Sequence, residues 1–463
     1  MNNEFDFHFI AIGGVGQSAL AKILLCLGYK VSGSDIQESK YTKLVSSLGA
    51  KVFIGHDKEN IIGKPKVVVS SAIKEDNPEI IKAKELGLDI MHRSDCLKFI
   101  SEQFPCFIGL AGTHGKTTTS GFLSFVMEQM ELNPSYAIGG IIPKLNINAN
   151  ANKNSKYFIA ELDESDGTIQ KYSPKMLVIN NLEADHLDYY KNGLDDIIKT
   201  FEKLIDKMNG SSKIFLNIDD DGCNLFKSQT KFENIITYSL NKNADYEAKN
   251  IVFEELNSSF DVYKKGTFLG KINLIIPGIH NVYNALAIIS VLDDLGFEFS
   301  EYSSYFSMFT GMGRRFQLVA DIKNIKIIDD YAHHPSEIQS TLNSIRNLKR
   351  RKIAIFQPHR YTRLKGLWNE FLDSFDAIDK LYVIDVFCAG DKPLEDYNSK
   401  NFVSEIIKKG IDAKYIDGNI EQTAQKIAKD LKEEDIVLTL GAGDITKVGG
   451  IINDLLAKWN KIL

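Results

Sequence analysis

Cysteine is scarce. The 463 residues hold five: Cys26, Cys96, Cys106, Cys223 and Cys388. They are scattered, none forms a CxxC pair, and their number is odd. This excludes a small disulfide-stapled scaffold and predicts a reduced, cytosolic compartment with buried thiols. A basic excess is missing too. Fifty-five Lys and Arg against 61 Asp and Glu leave a net charge of -6. That argues against a dedicated nucleic-acid binder, though not against a local basic pocket. No apolar run approaches the ~18 residues that a membrane span needs. The N-terminal MNNEFDFHFIAIGG has no basic region and turns glycine-rich before an apolar signal core forms. No internal repeat or low-complexity tract is evident. What is present is ordinary for a soluble globular protein: 44% apolar and 25% charged residues. At about 150 residues per domain, the length predicts about three domains.

The chain reads as strand, loop and helix, repeated almost from end to end. Strands are expected at 5–12, 29–33, 51–54, 67–71, 106–111, 157–162 and 176–181. Others are expected at 325–329, 352–356, 380–386 and 435–440. Helices are expected at 16–27 and 115–130. Short β-branched runs that alternate with amphipathic stretches indicate parallel sheets covered by helices. Residues 236–276 differ. Runs such as FDVYKKGTFLGKINLII alternate, with a hairpin turn expected at Lys264-Lys265-Gly266, so a local antiparallel patch is expected there. The fold class is therefore α/β in three domains. Their expected bounds are 1–104, 105–311 and 312–463.

Two glycine loops carry most of the chemistry. In IGGVGQSA, Gly14, Gly16 and Ala19 fit GxGxxA, and Asp35 ends the next strand. Such a loop lets backbone approach a diphosphate at a helix N-terminus, while the acid holds a ribose hydroxyl. By itself it is compatible with NAD or FAD, with another nucleotide, or with a tight structural turn. The second loop, GLAGTHGKTTT, runs from Gly109 to Thr119. It places amides around phosphates, Lys116 as a cation against them and Thr117 on Mg²⁺. The strict Walker spacing is not met, because Gly109 lies one residue too far from Gly115. Lys116 is expected to be solvated until a nucleotide arrives.

Acidic and amide motifs follow. YFIAELDESDG sets Glu161, Asp163, Glu164 and Asp166 after a strand, either as Mg²⁺ ligands or as a solvated acidic loop. NNLEADHLDYY sets Asp185, His186 and Asp188 after another, with His186 either a ligand or structural. In PGIHNVYNAL, His280, Asn281 and Asn284 share a helical face. They either read an adenine edge or cap the helix, and the residues alone favour the cap. The last third carries GMGRRFQ, DDYAHHP, FQPHRYTR and GAGDI at successive strand ends. This is an Arg- and His-rich set suited to carboxylate or phosphate.

These motifs stand in the order of the Mur ligases, and the chain resembles that family from about residue 7 to its end. Within it, the likeness is greatest to the member that adds L-alanine to the lactyl carboxylate of UDP-N-acetylmuramate. The resemblance implies an N-terminal Rossmann-like domain for the UDP-sugar, a central P-loop ATPase and a C-terminal Rossmann-like domain for the amino acid. It thus reassigns the first glycine loop from a nicotinamide cofactor to UDP, with Gly14, Val15, Gly16, Asp35 and Ser70 in contact. For ATP as co-substrate it implies Gly112, Thr113, His114, Gly115, Lys116, Thr117, Thr118, His280, Asn281, Asn284 and Arg314. It implies two Mg²⁺ sites, Thr117 on the first, Glu161 and His186 on the second. Tyr331, His333, Arg360 and Arg363 would hold the amino acid. Lys116, His186, Glu161, Arg360 and Arg363 form the implied catalytic set.

The implied setting is the bacterial cytoplasm, in an early step of peptidoglycan synthesis. Neither nucleic acid nor membrane insertion is implied, and the chain would act as a monomer or homodimer. Several sister ligases use a carbamylated lysine after the metal histidine. Here that position is Phe201, with Lys199 and Lys203 out of alignment, so the modification is not expected. The general base for the amine is unassigned. The nearest rival within the family is a peptide-recycling ligase. A nicotinamide oxidoreductase or a non-catalytic nucleotide-gated binder would leave whole motifs unused.

Overall fold

The computed structural model describes residues 4–187 and 189–459. Asp188 of the EADHLD motif lies outside them. The chain divides into two compact units. One comprises Met1–Val252, Ser259–Leu274 and Ile279–Phe309, the other Phe253–Ser258, Ile275–Gly278 and Thr310–Leu463. Three α/β domains are built on three sheets, two of them in the first unit.

The first sheet comprises β1 (Phe7–Ile10), β2 (Val31–Asp35), β3 (Lys51–Ile54), β4 (Lys66–Val69) and β5 (Ile90–His92). Its order is β3-β2-β1-β4-β5, and all pairs are parallel. The order reverses at β1, so the glycine loop after β1 opens at the switch point where such sheets bind ligands.

The second sheet has ten strands. In chain order they are β6 (Cys106–Ala111), β7 (Ser135–Ile142), β8 (Ile147–Asn150), β9 (Tyr157–Glu161), β10 (Met176–Ile179), β11 (Lys213–Asn217), β12 (Ile235–Ser239), β13 (Tyr246–Glu254), β14 (Asn257–Lys264) and β15 (Thr267–Leu274). The spatial order is β15-β14-β13-β12-β11-β10-β6-β9-β7-β8. Two-residue turns join β13 to β14 and β14 to β15, connections so short that they serve antiparallel neighbours. Lys265 and Gly266 both have positive φ, 48° and 80°, as a tight hairpin requires. The expected antiparallel patch is therefore present, but it starts later than residue 236. β12 runs parallel to both its neighbours. A second antiparallel pair, β7 with β8, was not expected.

One core serves both domains of the first unit, from Phe7 and Phe9 through Phe104 and Phe107 to Phe158 and Phe201. Phe104 stacks on Phe158 with ring centroids 5.1 Å apart. The helix Lys116–Gln129 buries Phe122, Phe125 and Val126, and Phe122 stacks on Phe309.

The second unit has the third sheet: β16 (Gln317–Ile322), β17 (Ile325–Asp330), β18 (Lys352–Phe356), β19 (Lys380–Val383), β20 (Ala413–Tyr415) and β21 (Ile436–Leu440). The order is β16-β17-β21-β18-β19-β20, parallel except for the edge strand β16. Apolar layers cover both faces, which is why its strands read as continuous apolar runs.

Candidate active site

In the second sheet, β9, β6 and β10 are adjacent and parallel. The loops after Ala111, Glu161 and Ile179 therefore leave the sheet side by side. The phosphate-type loop is tightly shaped. Gly112 and Gly115 have φ of 129° and 83°. A Cβ at Gly112 would lie 3.0 Å from the Asn181 carbonyl, and one at Gly115 2.9 Å from the Asn180 amide. Only glycine fits both the conformation and the space. The strand-end asparagine fastens the loop. His114 N donates to Asn181 Oδ1 at 2.7 Å, and Asn181 Nδ2 donates back to the His114 carbonyl at 3.2 Å. Glu183 N donates to Thr113 Oγ1 at 2.9 Å. The His114 ring is raised in pKa, chiefly by its bond to Glu183.

Lys116 is not solvated, contrary to the expectation from sequence. Its ammonium donates to both oxygens of Glu164, at 3.0 and 2.9 Å, and to the Gly112 carbonyl at 2.6 Å. The two side chains are 13% and 2% exposed. Burial raises the Glu164 carboxyl, against the pull of Lys116. The cause of this arrangement is the DESDG turn, which places Glu164 below the loop. Gly167 N donates to the Glu164 carbonyl at 2.9 Å, and the Tyr190 hydroxyl donates to the same atom.

Thr117 Oγ1 donates to Glu161 Oε2 at 2.8 Å, and Gly139 N donates to that oxygen at 3.0 Å. Two cis oxygens in an octahedral Mg²⁺ shell, each ~2.1 Å from the metal, lie about 3.0 Å apart. The hydroxyl and carboxylate are therefore already at ligand spacing. His186 has φ of 53°. Its side chain is 37% exposed, with Nε2 3.7 Å from Asp185 Oδ2. Among the described residues no group of three or more His, Cys, Asp and Glu is placed to hold a metal by itself. The oxygen pair thus fits Mg²⁺ that is completed by phosphate and water, the usual mode for that ion.

A cavity of about 270 Å³ joins Glu161 to the first glycine loop. Gly16, Arg93, Gly139, Glu161 and Asp163 are among its lining residues. Arg93, at the start of the helix Arg93–Ser101, lies 3.8 Å from Asp163. No motif flagged it, and no sequence signal marks it. Gly14 caps the helix Val15–Cys26, and Val15 is exposed. Asp35 is turned inward on the loop, accepting the Gly13 N–H at 2.9 Å. Ser70 follows β4, half-buried.

His280 is exposed near the start of the helix Ile279–Asp294, whereas Asn281 and Asn284 are buried. Asn284 Oδ1 accepts from Thr119 Oγ1 at 3.0 Å, and Asn180 Nδ2 donates to that hydroxyl at 2.9 Å. Asn284 Nδ2 donates to Asn281 Oδ1 at 3.3 Å. Asn284 is thus not the helix cap that its residues alone favoured. It ties the helix to the one that follows the phosphate loop. Thr118 is half-buried in that latter helix.

In the second unit, the strand ends of β17, β21 and β18 are adjacent. Arg314 donates to the Gly441 carbonyl at 2.6 Å, lies 3.3 Å from Asp329 and stands over the Tyr331 ring. His333 Nδ1 lies 3.0 Å from the Tyr331 carbonyl and 3.4 Å from Glu337. Arg363 Nη1 donates to His359 Nδ1 at 3.2 Å, which puts the imidazole proton on Nε2. His359 stacks on Phe387. Burial, then Arg363, pushes His359 down to about 4. Arg360 does not share a helical face with Arg363. It has φ of 69° and precedes the helix Tyr361–Gly366. Even so, its charge is the second cause, after burial, of a lowered Arg363. Two like charges therefore lie close together.

Three family descriptions match in succession: "Mur ligase family, catalytic domain" over residues 6–105, "Mur ligase middle domain" over 110–292 and "Mur ligase, glutamate ligase domain" over 314–443. A UDP-N-acetylmuramate–L-alanine ligase of Dictyoglomus turgidum is 41% identical over 463 residues, covering 100% of this chain and 98% of its own. The chain belongs to the Mur ligase family. A second such Mur ligase, from Pelobacter propionicus, is 39% identical over 97% of this chain and 98% of its own. The crystal structure of a UDP-N-acetylmuramate-alanine ligase from Thermotoga maritima superposes with a TM-score of 0.81 at 26% identity, covering 98% of this chain and 100% of that one. A murein peptide ligase from Psychrobacter arcticus shares the fold, with a TM-score of 0.67 at 21% identity and 98% coverage of each chain.

Proposed function

We propose that this Mur ligase joins L-alanine to the lactyl carboxylate of UDP-N-acetylmuramate, with ATP converted to ADP and phosphate. The observation that carries the reading is similarity along nearly the whole chain to ligases of that name, from 37% to 41% identical. A carboxylate is a poor electrophile. Its oxygen attacks the γ-phosphorus, ADP leaves, and an acyl phosphate results. The free amine of alanine then attacks the acyl carbon. The tetrahedral adduct loses phosphate and a proton to leave the amide. Negative charge must be met at both steps.

In this reading the amides of Gly112 to Thr118 cradle the phosphates, and Lys116 meets the transferring group. Thr117 is the protein's ligand at one Mg²⁺ site and Glu161 with His186 at a second, and the 2.8 Å between the Thr117 hydroxyl and Glu161 also lets those two share one ion. Bound Mg²⁺ neutralises phosphate charge and polarises the phosphoryl oxygens. Gly14, Val15, Gly16, Asp35 and Ser70 hold the UDP part. His280, Asn281, Asn284 and Arg314 belong to the ATP set, the two buried asparagines acting through the helix they anchor. Arg360 and Arg363 hold the alanine carboxylate, with Tyr331 and His333 beside them. The domains are 1–104 for the UDP-sugar, 105–311 for ATP and 312–463 for the amino acid. The setting is the bacterial cytoplasm, and the working form is a monomer or homodimer.

ADP release by the full chain tests this, with amines varied at saturating UDP-N-acetylmuramate. L-alanine should drive turnover. Turnover with a recycled tripeptide, but not with alanine, would replace the reading by that of a peptide ligase. Binding of NAD in place of the UDP-sugar would overturn the assignment of the first glycine loop.

A further inference from the structure

Every acceptor that holds the Lys116 ammonium is internal. Two oxygens of Glu164 lie at 2.9 and 3.0 Å, the Gly112 carbonyl at 2.6 Å and the Thr113 carbonyl at 3.3 Å. An ammonium has three protons. It cannot reach a phosphate without releasing or sharing one of these bonds. The two carbonyls belong to the loop that phosphates would fill, and they are neutral acceptors. Glu164 is different. It is buried, it is ionic, and its main chain is fixed without help from Lys116, through Gly167 N and the Tyr190 hydroxyl. It therefore stays in place when the lysine moves.

We propose that Glu164 is a positioning residue for Lys116, a carboxylate latch that holds the ammonium in the nucleotide-free loop and shares it with the incoming phosphates. The proposal rests on Lys116 being the phosphate-binding cation. It has two opposed consequences. Before ATP binds, the latch competes with phosphate and weakens affinity. During phosphoryl transfer, the retained bond aims the ammonium and supports turnover. A merely structural Glu164 has no reason to separate these two quantities.

The separation is measurable in the full chain. Glu164→Gln keeps the shape of the side chain and removes the charge. Calorimetric titration with Mg·ATP should show Kd lowered about tenfold, the low end for a charged hydrogen bond, while kcat falls by a similar factor or more. The Kd ratio to wild type should persist in ~0.5 M KCl, because a buried pair is poorly screened. Glu164→Asp restores the charge at a shorter reach and should lie between wild type and Gln. If Gln does not fold, the Asp variant alone decides, on whether its Kd lies below that of wild type. An unchanged or raised Kd overturns the latch, and so does a gain that disappears in salt. Lys116→Met separates the two levels of inference. If it leaves Mg·ATP affinity intact, the P-loop reading itself fails. If it abolishes binding while Glu164→Gln leaves Kd unchanged, only the latch fails.

Discussion

The two cationic sites of this protein are kept in opposite states. In the first unit, Lys116 is fully engaged with a buried carboxylate, and Thr117 with Glu161. In the second, neither Arg360 nor Arg363 has an ion pair among the described residues, and Arg363 is held only by His359. The difference follows from the ligand each is proposed to meet. A triphosphate with its metal brings enough charge to share a cation with its internal partner. A single amino-acid carboxylate does not, so the cations that take it must stand free of competing carboxylates. Two adjacent guanidiniums without a direct ion pair are electrostatically costly, Glu337 and Asp391 offset that only in part, and the proposed anion would relieve it.

The sharpest test of this contrast is Lys116→Ala. Turnover should fall at least ~100-fold through lost charge stabilisation in the transition state. Stability should fall as well, because Glu164 is left buried without its partner. Breaking such a pair costs on the order of 3 kcal/mol, less whatever protonation of Glu164 recovers. The sign with pH is fixed by the raised Glu164 pKa. The native state holds the proton more tightly than the unfolded chain, so stability declines as pH rises above the ordinary value of 4.5. The Tm deficit of the variant should be large at pH 8 and small near pH 5. An equal deficit at both would mean that Glu164 is not the cause.

On the other side of the comparison, Arg363→Ala should raise the KM for L-alanine at least ~30-fold and barely change that for ATP, as loss of a charged partner worth roughly 2–4 kcal/mol predicts. Lysine should substitute poorly, since it lacks the planar fork. Steady-state assays that vary one substrate at a time decide it, and unchanged alanine dependence places the amino acid elsewhere. A smaller effect is expected from Glu161→Gln. The Mg²⁺ concentration for half-maximal activity should rise several-fold with ATP still bound, since Thr117 and the phosphates keep their oxygens. Anomalous scattering from Mn²⁺ with an ATP analogue should then find the ion within ~2.5 Å of Glu161 in the wild type.

The smallest effect concerns His359. Its pKa is depressed to about 4 from 6.5. The unfolded chain therefore binds the proton more readily, and the stability contributed by the neutral ring is lost as pH falls from 6.5 through about 4. His359→Gln should flatten the acid limb of unfolding for the second unit. A slope identical to wild type would show that protonation of the buried His359 ring does not shape the acid limb.

Much of the fold could be read from the chain, because fully buried parallel strands announce themselves. Cys106–Ala111 and Lys352–Phe356 fall where their apolar runs placed them. The three-residue strands Ile90–His92 and Ala413–Tyr415 carry too few residues for any period to show. β7 and β8 are concealed because glycines and asparagines interrupt the alternation. At the site, motif order identified the loops but not their contacts. Glu164 lies 48 residues from Lys116, so no local spacing reveals that pair. Arg93 sits in no motif. The three-residue spacing of Arg360 and Arg363 suits a shared helical face, yet the helix begins only at Tyr361. The asparagines of PGIHNVYNAL were weighed as cap or base reader. The buried tie of Asn284 to Thr119 leaves no local signal, since the partner is 165 residues away.

That last contact also bears on the order of assembly during synthesis. Thr119 belongs to the helix that opens at the phosphate loop, and its hydroxyl bonds to Asn284, 165 residues downstream. A ribosome adding about 5–20 residues per second takes roughly 10–30 s to cover that interval. Throughout it, the loop exists on a nascent chain whose supporting helix has not been made. The first sheet, complete by His92, has no such wait. A half-made chain thus carries a complete first sheet and an unfinished second one, and its phosphate loop waits for the residue that ties down the helix behind it.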